Sequence, residues 1–263
     1  MSFCEIRMSI PDKERSTRLI LAGYSDQFTQ MANDCSTWIF WHRPADASRH
    51  FIVDSGSVFF LDAGEGPFGV TASHVIQALR DAKQKYQRLG IKLGNISFDP
   101  SERVIGDDPI RDIATFRIDE RTIDSLGKRP HVDPGQWPPP SPQQDKGGFF
   151  GGYRGPDDKL ISQDKPIPWD FWYGFGPITG VFPEKLTMRF ERDDWVPMPG
   201  RLDPPPGAEW GGVSGGPMFA LFKTETEVVY FRLGGVTKEY SAPVELMVFA
   251  PIGWIRKDGT LFL

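Results

Sequence analysis

Gly211-Gly212-Val213-Ser214-Gly215-Gly216-Pro217 is the segment of this chain best suited to chemistry. A serine hydroxyl becomes a useful nucleophile only with a base beside it and with donors facing the oxyanion that its attack creates. Glycines around such a serine let the backbone turn tightly, so that consecutive N–H groups point into one space. Ser214 is the candidate nucleophile on these grounds. Its base should be a histidine, and the chain has four: His42, His50, His74 and His131. His74 lies in Val70-Thr71-Ala72-Ser73-His74-Val75, where a strand hands over to a helix, and that junction holds a ring as rigidly as a general base requires. His42 and His50 flank the turn Arg43–Arg49, and His131 borders a run of prolines. The third member should be a carboxylate that keeps the imidazole in the right tautomer. Asp112 is the best candidate, at the mouth of the apolar run Ile113-Ala114-Thr115-Phe116. Asp107 and Asp108 compete from the turn Gly106–Pro109, where they read as turn formers, and Asp119 competes from the far end of the strand.

Other motifs fail on their mechanics. Gly212-Val213-Ser214-Gly215-Gly216 also satisfies the G-x-S-x-G elbow, but that chemistry needs its histidine after the serine and none follows His131. Asp54-Ser55-Gly56 has no second copy with which to build a carboxylate pair. Gly64-Glu65-Gly66-Pro67-Phe68-Gly69 matches a dinucleotide fingerprint in letters. The fingerprint works only if a helix opens there, whereas another strand, Phe68–Ala72, follows. Neither C-x-x-C nor H-E-x-x-H occurs, so no metal site and no cofactor is expected. Cys4 and Cys35 read as ordinary thiols.

The elements that must hold these residues are short. The chain has 263 residues, with 28 glycines, 24 prolines and 34 aromatic residues, a composition suited to short strands joined by turns. Residues 1–34 read as an N-terminal extension or capping arm, with one short helix near Asp26–Asn33. Strands follow at Thr37–Trp41, at Phe51–Leu61 (broken or bulged at Ser55-Gly56) and at Phe68–Ala72. Val75, Ile76, Leu79 and Ala82 at helical spacing predict a helix from His74 to about Gln87. Strands resume at Ile91–Phe98 and Ile113–Ile118. Five prolines between Asp133 and Pro142 cannot pair as a central strand. The second half offers Gly148–Tyr153, Trp169–Phe175, Leu186–Phe190, Pro217–Phe222, Val228–Val236 and Leu246–Pro251, with a proline-rich loop Pro197–Gly207 before the glycine cluster. The expected organisation is all-β, two packed antiparallel β-barrels of about six strands each. The first covers 35–133, a Pro-rich linker 134–146, and the second 147–263.

The blocks TASHVI, DIATF and GVSGGP, in the order His, Asp, Ser, resemble the three active-site blocks of trypsin-like, chymotrypsin-fold serine peptidases. The resemblance covers about residues 35–263 and is closer to bacterial, disulfide-free members. It implies Ser214 as nucleophile, His74 as general base and acid, Asp112 as orienter, and the N–H groups of Gly212 and Ser214 as the oxyanion hole. It also implies that Gly235-Val236-Thr237-Lys238 is the strand that pairs with a bound peptide, with Val236, Thr237 and Lys238 touching substrate. Ala208 matches the pocket-floor position that carries an acid in trypsin itself, with Glu209 beside it and Met247 narrowing the pocket. Ala208 and Met247 point to small or apolar residues before the cut, and Glu209 points the other way. One departure is Val213, where activated secreted members carry an aspartate that pairs with a new N-terminus.

Two function classes follow. The first is a serine endopeptidase working through an acyl-enzyme on a protein or peptide substrate, or an esterase using the same groups. The second is a latent or non-catalytic regulatory module of the same fold, switched on by an activating protein partner. A net charge of −5 argues against nucleic acid and anionic membrane as partners. The opening MSFCEIRMSIPDKERSTR lacks the basic start and roughly 7–15 apolar residues of a signal peptide. With two cysteines, too few for a disulfide framework, this predicts a cytoplasmic address.

Overall fold

A computed structural model of the chain describes residues 18, 22–44, 50–133, 135–155, 160–162, 169–194, 210–226 and 228–262. The all-β expectation holds: three short α-helices accompany fifteen strands among the described residues.

Helix α1 (Tyr24–Cys35) belongs to the segment expected to be an extension or capping arm, and it is anchored in the core. Phe28, Met31, Ala32 and Cys35 recur at helical spacing and pack against the buried cluster that contains Phe59 and Phe149. Strand β1 (Ser36–Pro44) pairs antiparallel with β2 (His50–Asp62). The register runs through Ser55 and Gly56 without a shift, so the break expected there is absent. In β2, Phe59 and Leu61 face one buried cluster while Val58 and Phe60 face another, and all four side chains are fully buried. An unbroken apolar run is thus a strand covered on both faces, with the two-residue period hidden because both sides are dry.

β3 (Pro67–Thr71) leads into α2 (Ser73–Lys85), whose Val75, Ile76 and Leu79 are buried as the spacing predicts. β4 (Gly90–Leu93) and β5 (Ile96–Ser97) lie at one edge of the first sheet. β6 (Val104–Asp108) and β7 (Ile113–Arg117) lie at the other. Helix α3 (Glu120–Ser125), capped by the Asp119 side chain accepting from the Thr122 N–H, precedes the two-residue β8 (His131–Val132). The first sheet has nine strands, more than the six expected. Seven run in the order β5-β4-β1-β2-β3-β7-β6, and β8 and β10 (Leu160–Ser162) join through β2. The β2–β8 pairing is parallel, and β10 returns to this sheet from the second half of the chain.

The other sheet closes into a six-stranded antiparallel barrel. It consists of β9 (Gly147–Arg154), β11 (Asp170–Val181), β12 (Leu186–Arg189), β13 (Pro217–Lys223), β14 (Val229–Ser241) and β15 (Leu246–Pro251). One buried cluster takes Phe59, Leu61, Phe68 and Val70 from the first sheet and Phe149, Phe219, Leu233 and Val236 from the barrel. Residues of the candidate site carried by different halves therefore share a close-packed, stiff support.

The proline-rich segment between the halves is pinned. Trp137 is buried, and its indole N–H donates to the Ile255 carbonyl at 2.7 Å. Arg232 pairs with Asp133 and donates to the Gln136 carbonyl at 2.9 Å, with side-chain exposures of 10% and 2% for the ion pair. Removing one partner of such a pair strands the other charge in a dry setting. Asp133→Ala should therefore destabilise the fold by about 3–5 kcal/mol, read as a lower urea midpoint with an unchanged slope. An unchanged midpoint would show the pair to be energetically silent. No helix among the described residues is long and apolar enough to cross a membrane.

Candidate active site

His74 is the second residue of α2, and one carboxylate, that of Asp112, holds both its backbone and its ring. Its backbone N–H donates to Asp112 Oδ1 at 2.9 Å, and its ring Nδ1 lies 2.9 Å from Asp112 Oδ2 and 3.1 Å from Oδ1. Ala72, the N-cap, has no side chain with which to satisfy the first turn. The Asp112 carboxylate supplies that acceptor from outside the helix, where a negative charge is also favoured by the helix dipole. Asp112 adopts φ +61°, a left-handed conformation that aspartate tolerates better than most residues. The bend aims its carboxylate at His74 instead of along β7.

The competing carboxylates support this bend. Asp108 accepts from the backbone N–H groups of Ile110 and Arg111 at 2.9 and 3.0 Å and pairs with the Arg111 side chain. The Arg111 guanidinium in turn sits 3.8 Å over the Trp254 ring. Asp107 accepts from the Ser73 hydroxyl at 2.5 Å and pairs with Arg80, both on α2. Asp107 and Asp108 thus brace the two ends of the His74–Asp112 contact. Burial works against the charge of Asp112, but the hydrogen bonds and charge of His74, with a smaller contribution from Lys238, hold its carboxyl below the ordinary value.

Ser214 sits in a loop held by both halves. Its carbonyl accepts from the Ser57 N–H at 2.8 Å, and the Ser57 hydroxyl donates to the Gly212 carbonyl at 2.7 Å. Gly215 N–H donates to the Thr237 carbonyl, and Thr237 N–H donates to the Gly216 carbonyl, both at 2.8 Å. Gly212 and Gly215 have φ near +90°, and a Cβ at Gly215 would come within 2.1 Å of the Ser57 carbonyl oxygen and 2.3 Å of Thr71 Oγ1. Glycine at 215 is what lets the loop press against Thr71 and Ala72, the two residues that lead to Ser73 and His74. Val213, where an ion pair was not expected, is 1% exposed and packs in the barrel core with Phe150, Trp210 and Met218. Apolar burial anchors the loop at that position.

The Ser214 hydroxyl donates to the Lys238 carbonyl at 2.7 Å. Lys238 is the extra residue where the β14–β15 register shifts between Thr237 and Glu239. Val236 pairs with Pro217 on one side and Ala250 on the other, and its side chain is fully buried. Met247 is also fully buried, in the barrel core beside Trp210. Ala208, Glu209 and the loop Pro197–Gly207 lie outside the described residues. Neither the Gly212 N–H nor the Ser214 N–H donates to another group of the chain among the described residues.

The remaining histidines stand in other settings. Burial pushes the His131 imidazole below its usual range, and its ring lies edge-on to Phe219 at 5.0 Å. Burial, with the charge of Lys92, also lowers His42. His50 opens β2. No group of three or more acidic, histidine or cysteine side chains that could hold a metal ion occurs among the described residues. Sequence reasoning missed Ser57 and the Lys238 carbonyl. A serine inside a strand has no distinguishing spacing, and a backbone carbonyl has no residue identity to read.

No protein-family model and no curated protein matches the chain. Among solved structures, it is similar to one described as the crystal structure of Deg5, at 16% identity and a TM-score of 0.47, over 88% of this chain and 90% of that one. It is also similar to one described under the coupled folding and binding of the intrinsically disordered Sesbania mosaic virus VPg protein. That likeness has 15% identity and a TM-score of 0.42, over 82% of this chain and 86% of the other. Likenesses this distant say nothing about activity, which has to be argued from the side chains.

Proposed function

We propose that this protein is a serine endopeptidase that hydrolyses peptide bonds through an acyl-enzyme, with Ser214 as nucleophile, His74 as general base and acid, and Asp112 as orienter. The observation that carries this reading is the contact between His74 Nδ1 and the Asp112 carboxylate at 2.9 and 3.1 Å. An ionised carboxylate only accepts, so Nδ1 carries the proton and Nε2 is left with the lone pair that a general base needs.

In the reaction, the Ser214 hydroxyl leaves the Lys238 carbonyl and gives its proton to His74 Nε2 as its oxygen attacks the substrate carbonyl. The resulting imidazolium is stabilised by Asp112. The tetrahedral oxyanion is received by the N–H groups of Gly212 and Ser214, which have no partner among the described residues and so fit that role. His74 then protonates the leaving amine, and water repeats the sequence on the ester. Within this reading, Lys238 and the adjoining part of β14 hold the substrate backbone, the residue before the cut is small or apolar, and the substrate is a protein or peptide. The cytoplasm is the proposed compartment, supported by Cys35, a buried free thiol that burial pushes up to about 12.

One observation favours a second reading, a latent module that an activating protein partner switches on. The Ser214 hydroxyl is engaged by Lys238 and not by His74. A fluorophosphonate probe separates the two. The endopeptidase should be labelled stoichiometrically at Ser214, with no labelling of Ser214→Ala, and should turn over peptides as well as esters. Labelling that requires a second protein would favour the latent module, ester turnover alone an esterase, and no labelling under any condition would sink the catalytic reading.

A further inference from the structure

Ser57 lies in the middle of β2 in the first sheet, fully buried, and all of its polar groups are used to hold other parts of the site. Its hydroxyl oxygen accepts from the Tyr153 N–H of β9 at 2.7 Å. A backbone N–H can only donate, so the hydroxyl proton is free to go elsewhere, and it goes to the Gly212 carbonyl at 2.7 Å. Its backbone N–H donates to the Ser214 carbonyl at 2.8 Å, and its carbonyl accepts from the Thr71 hydroxyl at 2.7 Å.

Two carbonyls of the nucleophile loop, those of Gly212 and Ser214, are thus held by one residue of the opposite half. They belong to the peptide units that follow Gly212 and Ser214, and the two N–H groups that have no partner among the described residues belong to the units that precede them. The Ser57 backbone bond would survive Ser57→Ala. The hydroxyl bond would not, and it secures the unit next to Gly211 and Gly212, where two consecutive glycines make rotation of a peptide plane cheapest. Tyr153, the other partner of the hydroxyl, is in turn tied through its phenol to α1 and to the segment that follows α3. That group accepts from Lys128 Nζ at 2.9 Å and donates to Asn33 Oδ1.

We propose that Ser57 is a positioning residue whose hydroxyl locks the Gly212–Val213 peptide, and through it aims the Gly212 and Ser214 N–H groups at the oxyanion. This rests on the endopeptidase reading for its consequence in catalysis, but not for the clamp itself. Two measurements on the full chain keep these apart.

The first is kinetic. Ser57→Ala should lower kcat by about 100-fold, the low end of what loss of an oxyanion-hole donor costs, with KM within about twofold of the wild type. The rate is normalised to the number of sites that a fluorophosphonate can titrate, so a fold that is merely less stable would lose titratable sites and keep its kcat per site. Affinity for a peptide boronate, which forms a tetrahedral adduct on Ser214, should fall in step with kcat. The second is the amide NMR signal of Gly212, which should be single in the wild type and doubled or broadened in Ser57→Ala. Wild-type kcat per site together with an unchanged Gly212 signal would overturn the proposal. A wild type that neither labels nor turns over would overturn the endopeptidase reading and the catalytic role of Ser57 with it, while the Gly212 signal would still decide whether the clamp exists.

Discussion

Ser214→Ala should lower kcat for a cleaved peptide by about six orders of magnitude, the scale on which serine hydrolases lose activity when the nucleophile is removed. The effect is this large because the groups act as a unit. Without the hydroxyl, His74 has no proton to take, the acyl-enzyme cannot form, and the Asp112 carboxylate orients a base with nothing to activate. Binding and the oxyanion donors remain, so KM should change little. The fold should be unaffected as well, because the hydroxyl makes one hydrogen bond, to a carbonyl on the same half of the chain. The prediction is checked by measuring turnover and the urea midpoint on the same preparation. An activity loss below about a hundredfold, with normal stability, would mean that another group does the chemistry.

Asp112→Asn should lower kcat by about 10⁴, and the reason is visible in how the carboxylate is used. Oδ1 accepts the His74 backbone N–H and Oδ2 is the nearer partner of Nδ1. An asparagine keeps one acceptor, which the backbone N–H would retain, and it turns an NH₂ toward Nδ1. That reverses the tautomer and leaves Nε2 protonated, so the base is blocked. The left-handed φ of +61° suits asparagine, so backbone strain should not confuse the result. Stability gives a second check. The folded-state carboxyl of Asp112 lies below its ordinary 3.8, so its stabilisation is present above about pH 3.8 and is lost as pH falls through the lower folded value. The urea midpoint of the wild type should therefore fall more steeply than that of Asp112→Asn over this acid range. Parallel curves would show that the pair contributes nothing to folding.

His74, Asp112 and Ser214 were each singled out by local signals: a strand-to-helix junction, an aspartate at a strand mouth, and a serine among glycines. Their contacts were not. The His74–Asp112 bond joins residues 38 apart, and the Ser57–Gly212 bond joins residues 155 apart. No spacing rule connects such positions. The same limit explains β10, whose register depends on β2 more than a hundred positions earlier. It also explains α1, which reads only as part of an extension or capping arm until Phe149 and Phe231 are seen against Phe28 at 5.4 and 4.4 Å between ring centres.

By itself, the sequence determined which conformations are cheap and which side chains are candidates for chemistry. It marked the glycines that let the nucleophile loop turn tightly, the helix that starts beside His74, and most of the strands. Tertiary structure alone decided which groups meet: the carbonyl that holds the Ser214 hydroxyl, the apolar pocket that anchors Val213, and the buried serine that secures the loop from the other half. The physical reason is that torsional preference acts between neighbours in the chain. Hydrogen bonding and burial act between neighbours in space, and folding sets those through the packing of the whole core.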